Sequence, residues 1–269
     1  MDSRMILLDI GGTFIKRSDG LCIPMPSAGS AEEIAGALRQ ATAGEAEAIG
    51  VAIPGPFDYE HGIFLMRHKF ASVYGKSFRE LAGIADCTQL KFMHDVNAPL
   101  LGAVQMLGLQ EHNTALVTLG TGLGFSAAIK GKVQFGPNGS PAVSLWDKPY
   151  GEGIAEDIVS ARGIRLAYGR LGGNNSLSAR EIAQRAQDGD ILARNTFTGM
   201  GRCLGEVLGQ VCAELKLDTI LFGGQISKSM SLFEEPLKAK LPGLRMEAAP
   251  QGAVYEGLLS LFQKNTITN

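Results

Sequence analysis

Three apolar runs in this chain each end in a glycine turn: Asp9-Ile10-Gly11-Gly12-Thr13, Leu119-Gly120-Thr121-Gly122-Leu123-Gly124, and Phe222-Gly223-Gly224-Gln225. Glycine lets a backbone approach an anion closely, and consecutive N–H groups beside a threonine hydroxyl form a concave set of donors for phosphate oxygens. Taken singly, each turn reads more simply as a tight hairpin with no ligand. A fourth position, Asp95, ends an apolar run and precedes a helical pattern. Its carboxylate therefore stands at a strand-to-helix junction, where sites of α/β proteins form. Phosphoryl transfer to an alcohol needs a carboxylate that accepts or orients the hydroxyl proton, and donors that absorb charge on the phosphoryl oxygens. Asp95 suits the first task; Gly12, Thr13, Gly120, Thr121 and Gly122 suit the second. Asp95 also suits an N-cap, and the two roles are compatible.

Asp9 has a different logic. An acid beside a phosphate nest is repulsive unless a cation intervenes, so Asp9 is expected to orient Mg²⁺ through water; a turn-stabilising acid is the other reading. Asn97 positions the loop, touches the acceptor, or simply caps its helix.

The elements that must hold these residues alternate between strand and helix. Met5 to Ile10 and Phe14 to Arg17 form a hairpin; Ala31 to Ala43 has helical spacing; Ala48 to Ile53 is a buried strand running into Pro54-Gly55-Pro56. Ser77 caps an expected helix over Phe78 to Ala85, Leu90 to Met93 is a strand, and Asn97 to Leu107 a helix. From residue 114 the opening pattern repeats: strand, glycine turn, strand over Phe125 to Ile129. This echo predicts two lobes of related design. Helices are expected over Ile154 to Leu171, Ser178 to Asp188, Ile191 to Glu214 and Ala253 to Gln263, with a strand at Asp218 to Phe222. The expected division is 1–110 as an N-terminal lobe with the first phosphate turn and Asp95, 111–251 as a C-terminal lobe, and 252–269 as a helix packing back on the N-terminal lobe.

Composition narrows the function classes. With 269 residues, of which 45% are apolar, the chain can bury one large core or two moderate ones. A formal charge of −2 gives no basic excess for nucleic acid or an anionic membrane. The apolar run Met5 to Leu8 is far too short for a signal-peptide core or a spanning helix, which predicts a cytoplasmic protein. The 4 cysteines, Cys22, Cys87, Cys203 and Cys212, form no CxxC pair, so neither a disulfide framework nor a structural zinc site is indicated.

Order and context carry more than any single turn. Asp9-Ile10-Gly11-Gly12-Thr13 at the start, GVAIPGP at 50–56, HDVNAPLLG at 94–102, LGTGLG at 119–124 and ILFGG at 220–224 resemble, in the same order, the motifs of ROK family sugar kinases, within the actin, hexokinase and Hsp70 class. The resemblance implies a two-lobed actin-like (ribonuclease H-like) α/β fold with mixed central sheets and an interdomain cleft. It further implies ATP on the C-terminal lobe, sugar near the hinge, Mg²⁺, and Asp95 as general base. Gly223 and Gly224 would lie against the adenine or ribose, and Gly252-Ala253 resemble the start of the family's final helix. Relatives are often dimers, so the resemblance admits a homodimer beside the small-molecule sugar partner.

The sugar-binding half departs from the pattern. Where the family carries Glu-x-Gly-His and a cysteine-rich zinc loop, this chain reads GPNGSPAVSLWDKPYGEGIAED, with Ala142 and Leu145 in place of the Glu and His. Zinc is not expected, and a loop closed by Trp146 and Pro149 is expected instead. Glu156 matches the family's sugar-contacting Glu, with Glu152 as rival and a solvated first helical turn as the plain alternative. His94 stands where Asn is common, as a substrate contact or a packed strand end, and Lys69-Phe70 where Asn-Leu is common. His61, His68 and His112 are expected at the surface. The leading expectation is ATP-dependent phosphorylation of a hexose or related sugar. The alternatives are a catalytically silent sugar or nucleotide sensor, and a repressor of the same family, disfavoured because the chain opens on the first phosphate motif instead of a helix-turn-helix.

Overall fold

The strand Ala48–Ile53 has no polar side chain and is buried at every position, the mark of a strand covered on both faces. It pairs in parallel with Met5–Ile10 on one side and Gln89–His94 on the other. Met5–Ile10 turns back antiparallel into Phe14–Arg17, which pairs with Cys22–Pro24. The computed structural model therefore contains a mixed five-stranded sheet, and a second sheet repeats its plan. There Thr114–Leu119 pairs antiparallel with Leu123–Ile129 and parallel with Thr219–Gly223, which pairs parallel with Arg245–Ala248. The echo seen in the sequence is thus a repeat of strand pairing, and the mixed α/β fold class is the one found.

The structure describes residues 5–263; residues 1–4 and 264–269 of the expected end segments lie outside the described residues. The chain divides into two units. The first takes in residues up to Gly108, Val133–Ala142 and the residues from Pro250 on; the second takes in Leu109–Lys132 and Val143–Ala249. In the first, Leu8, Ile10, Val51 and Ile53 pack with Ile34 and Leu38 of the helix Ala31–Ala41. In the second, Val117, Leu119 and Phe222 pack with Phe197, Leu204 and Leu208 of the long helix Ile191–Glu214. Among the described residues no helix is long and apolar enough to cross a membrane.

Within the first unit the helices Asn97–Met106 and Ala253–Ser260 meet backbone to backbone. A Cβ at Gly102 would lie 1.9 Å from the Ala253 carbonyl oxygen, and one at Gly257 1.9 Å from that of Ala98. Only hydrogen in place of a side chain permits that approach.

Three expected elements change. The helix expected over Ile154 to Leu171 is two, Glu156–Val159 and Ala161–Arg170, because Ser160 leaves the helical region (φ −87°, ψ 167°) and its hydroxyl accepts from Gly163 N–H to cap the second. The break is fixed from outside as well: Ala161 N–H donates to the Gly120 carbonyl at 2.9 Å. The helix after Ser77 ends at Ala82, since Gly83 turns left-handed (φ 66°), and Ser77 makes no side-chain cap. The helix Ala253–Ser260 stops short of Gln263.

Candidate functional site

The residues predicted to do chemistry fall on both units, and each set is built by its own unit. In both sheets they stand at the carboxyl ends of the strands that pair in parallel.

In the first unit, Gly11 N–H donates to Phe14 O at 2.9 Å and closes the first turn. The N–H groups of Gly12 and Thr13 donate to no group among the described residues, and Thr13 is exposed. Packing does not enforce these glycines. A Cβ at Gly11 would meet only Phe14 O, at 3.5 Å, and one at Gly12 only the end of the Lys69 side chain, from 3.4 Å. What a side chain would fill is the open space in front of the turn, as expected of a surface that a ligand approaches.

Asp9 leads this turn. Its carboxylate lies 3.9 Å from Lys16 Nζ. Removal from water pushes its pKa up to about 6; Lys16 pulls it down, and the charge of Asp95 pushes it up again. Asp9 and Asp95 therefore share one electrostatic environment. The pH consequence has a definite sign. The fold favours protonated Asp9, so its contribution is fully present below the ordinary carboxylate value of 3.8 and is lost as pH rises through about 6. Asp9→Asn should accordingly be more stable than the parent above pH 6, with the difference closing by pH 3.8. Urea unfolding across that window measures it; a difference independent of pH would mean that Asp9 is not strained by its ionisation.

Asp95 follows the strand Gln89–His94 and is 30% exposed, with its N–H donating to Ile53 O at 3.2 Å. His94 Nδ1 lies 2.9 Å from Asp95 Oδ1 and 3.3 Å from Val96 N. His94, largely buried, is thus a partner of the carboxylate. Behind it stands Tyr59, which the sequence reading passed over: its ring centre lies 5.8 Å from that of His94, and its hydroxyl donates to Ile53 O at 3.0 Å. Burial, with the charge of Asp95, pushes the Tyr59 phenol far above its ordinary value, so it stays neutral. Asn97 is neither exposed to an acceptor nor a cap. It is fully buried, Val96 takes the cap position, and the Asn97 side chain donates to Gly139 O at 3.2 Å, tying down the returning segment Val133–Ala142.

In the second unit the turn after Leu119 is closed by Gly120 N–H donating to Gly122 O at 3.1 Å. No side chain or backbone lies within 4 Å of a Cβ placed at Gly120, and Thr121 is exposed. Glu156, expected to contact sugar hydroxyls, accepts from Leu123 N–H at 2.9 Å, and its carboxylate oxygen is 2.6 Å from where a Gly122 Cβ would be. Gly223 and Gly224 differ from each other. Gly224 is demanded by the fold, with φ +85° and a would-be Cβ 2.2 Å from the Leu119 carbonyl oxygen, whereas Gly223 has ordinary contacts.

The loop without cysteines is held by packing and hydrogen bonds, but Trp146, 49% exposed, is not its packing anchor. Leu145 is the anchor, 1% exposed in the second core. Glu156 N–H donates to Trp146 O, Ala155 N–H to Lys148 O, and Tyr150 hydroxyl to Glu206 at 2.8 Å. Pro149–Tyr150 and Gly153–Ile154 form a short hairpin. His61 and His112 are exposed and face Asp58 and Asp218, each at 2.9 Å.

Comparison with known proteins bears on this arrangement. Residues 151–256 match the model of the ROK family. An N-acetylmannosamine kinase of Yersinia pestis is 25% identical over 164 residues, 56% of this chain and 56% of that protein, so the match spans just over half of the relative's length. A ROK family glucokinase from Streptomyces griseus, solved with glucose and AMPPNP, superposes with a TM-score of 0.78 at 20% identity, covering 96% of this chain and 98% of the other. A ROK family transcriptional regulator, a homologue of the E. coli MLC protein, superposes with a TM-score of 0.70 at 20% identity over 96% of this chain and 80% of its own.

Proposed function

We propose that this chain, with the ROK fold along its length and the ROK family match in residues 151–256, is a sugar kinase that passes a phosphoryl group from Mg·ATP to a hydroxyl of a hexose or related sugar. One observation carries the reading: Asp95 is partly exposed at a strand end, within electrostatic reach of Asp9, which leads a glycine turn with two N–H groups that donate to no group among the described residues. Asp95 accepts the proton of the attacking hydroxyl, and His94 fixes the carboxylate from behind. Gly12 and Thr13 donate to phosphoryl oxygens; Thr121 and Gly122 do so on the second unit, where Gly120 N–H is committed to closing its turn. Gly223 and Gly224 present backbone to the adenosine.

The residues fit a divalent cation. Burial and the charge of Asp95 raise the cost of ionising Asp9, and Lys16 offsets them only in part, so a further positive charge at Asp9 is favourable. Asp9 would hold Mg²⁺ through water, where the ion neutralises phosphate charge. Glu156, bound to Leu123 N–H, shapes the second turn in this reading instead of contacting sugar.

A coupled ADP-release assay over hexoses and N-acetylhexosamines tests the proposal, with turnover expected for at least one sugar. A second reading, a silent sensor, draws support from the Glu156 carboxylate standing in a turn meant for phosphate. It predicts no turnover with any sugar while sugar or nucleotide still raises the unfolding temperature.

A further inference from the structure

We propose that Lys69, with the N–H groups of Gly12 and Thr13, forms the anion site that receives the phosphoryl group in transfer; this rests on the kinase reading above. Lys69 Nζ lies 3.5 Å from where a Gly12 Cβ would stand, so the ammonium is beside the turn whose Gly12 and Thr13 N–H groups donate to no group among the described residues. The backbone that carries it is tied to the same turn. Phe70, fully buried and left-handed (φ 56°), donates its N–H to Ser27 O at 2.7 Å, and the Ser27 hydroxyl donates to Gly12 O at 2.6 Å.

The neighbouring cations are engaged elsewhere: Lys16 faces Asp9, and the Arg67 guanidinium lies 4.2 Å from the centre of the Tyr74 ring. Lys69 makes no ion pair among the described residues. A neutral acceptor hydroxyl needs no such charge, whereas a phosphoryl group near Asp9 and Asp95 meets repulsion that a cation must offset. A lysine ammonium, with three donors on a flexible stem, suits the equatorial oxygens over which charge is spread in the transition state.

The test compares wild type, Lys69→Met and Lys69→Arg for binding of Mg²⁺ with the β,γ-imido triphosphate and with ADP, together with kcat and KM. Lys69→Met should weaken the triphosphate analogue about ten- to hundredfold and leave ADP within about twofold. Its kcat should fall with little change in the sugar KM, and Lys69→Arg should recover part of both. Equal effects on the two nucleotides, or none, would overturn the assignment. So would a defect confined to the KM of an acidic sugar, which would put the anion on the acceptor. A wild-type protein that binds neither nucleotide would remove the kinase reading itself. Matching urea midpoints for all three proteins exclude a folding defect.

Discussion

Asp95→Asn is expected to lower kcat by about three orders of magnitude while nucleotide affinity stays within about twofold. The substitution keeps the shape of the side chain and its oxygen near His94 Nδ1, so the strand end and the aromatic packing behind it are preserved. What it removes, in the proposed mechanism, is the basic oxygen that takes the hydroxyl proton. A base matters in the transition state far more than in the bound ground state, so the loss should appear in kcat and kcat/KM alike, with KM little altered. Removing the Asp95 charge also relieves Asp9, so the variant should hold Asp9 ionised to lower pH than the parent. Unchanged turnover in the coupled assay would take Asp95 out of the mechanism. A loss of nucleotide binding on the same scale as the loss of rate would make it a structural residue.

The second large effect concerns stability. Gly257→Val should destabilise the first unit by about 3 kcal/mol or more, because the new side chain meets a helix backbone that cannot rotate away. Even the Cβ alone would stand 1.9 Å from Ala98 O, so Gly257→Ala should already be harmful. The damage should reach function in any molecules that remain folded, since the displaced helix Asn97–Met106 begins two residues after Asp95. Gly36 provides the contrast. It lies in the helix Ala31–Ala41, with nothing within 4 Å of a Cβ, and Gly36→Ala should be neutral or stabilising by up to about 1 kcal/mol. Urea titrations of the three variants compare them directly; similar midpoints for Gly257→Val and Gly36→Ala would refute the close helix contact.

These expectations draw on different amounts of sequence information. The hairpins and parallel strands were legible because glycine and period stand next to each other in the chain: Met5–Ile10 and Thr114–Leu119 each announce their own turn. The long helix Ile191–Glu214 was legible to the residue. Features set by distant partners were not. Ser160 breaks a continuous helical pattern because its neighbour is fixed to Gly120, some forty residues earlier. Asn97 looks like a surface cap until the segment carrying Gly139 returns to bury it. Trp146 is the more conspicuous anchor in sequence, yet the smaller Leu145 fills the core. Tyr59 lies outside every motif and Lys69 shows in sequence only as a departure from the family's Asn-Leu; the folding of separate segments onto the strand ends brings them to His94 and Gly12.

The three-part make-up of the first unit bears on its biosynthesis. A nascent chain leaves the ribosome from its N-terminus, and domains tend to fold as their last pieces emerge. Here the sheet that carries Asp9 and Asp95 is translated early, but the helix that clasps Gly102 arrives only after residue 250, when the intervening unit is already synthesised. The early sheet must therefore wait with the Gly102 face of its helix uncovered. Chaperone occupancy during that interval would protect the unit that carries Asp9 and Asp95.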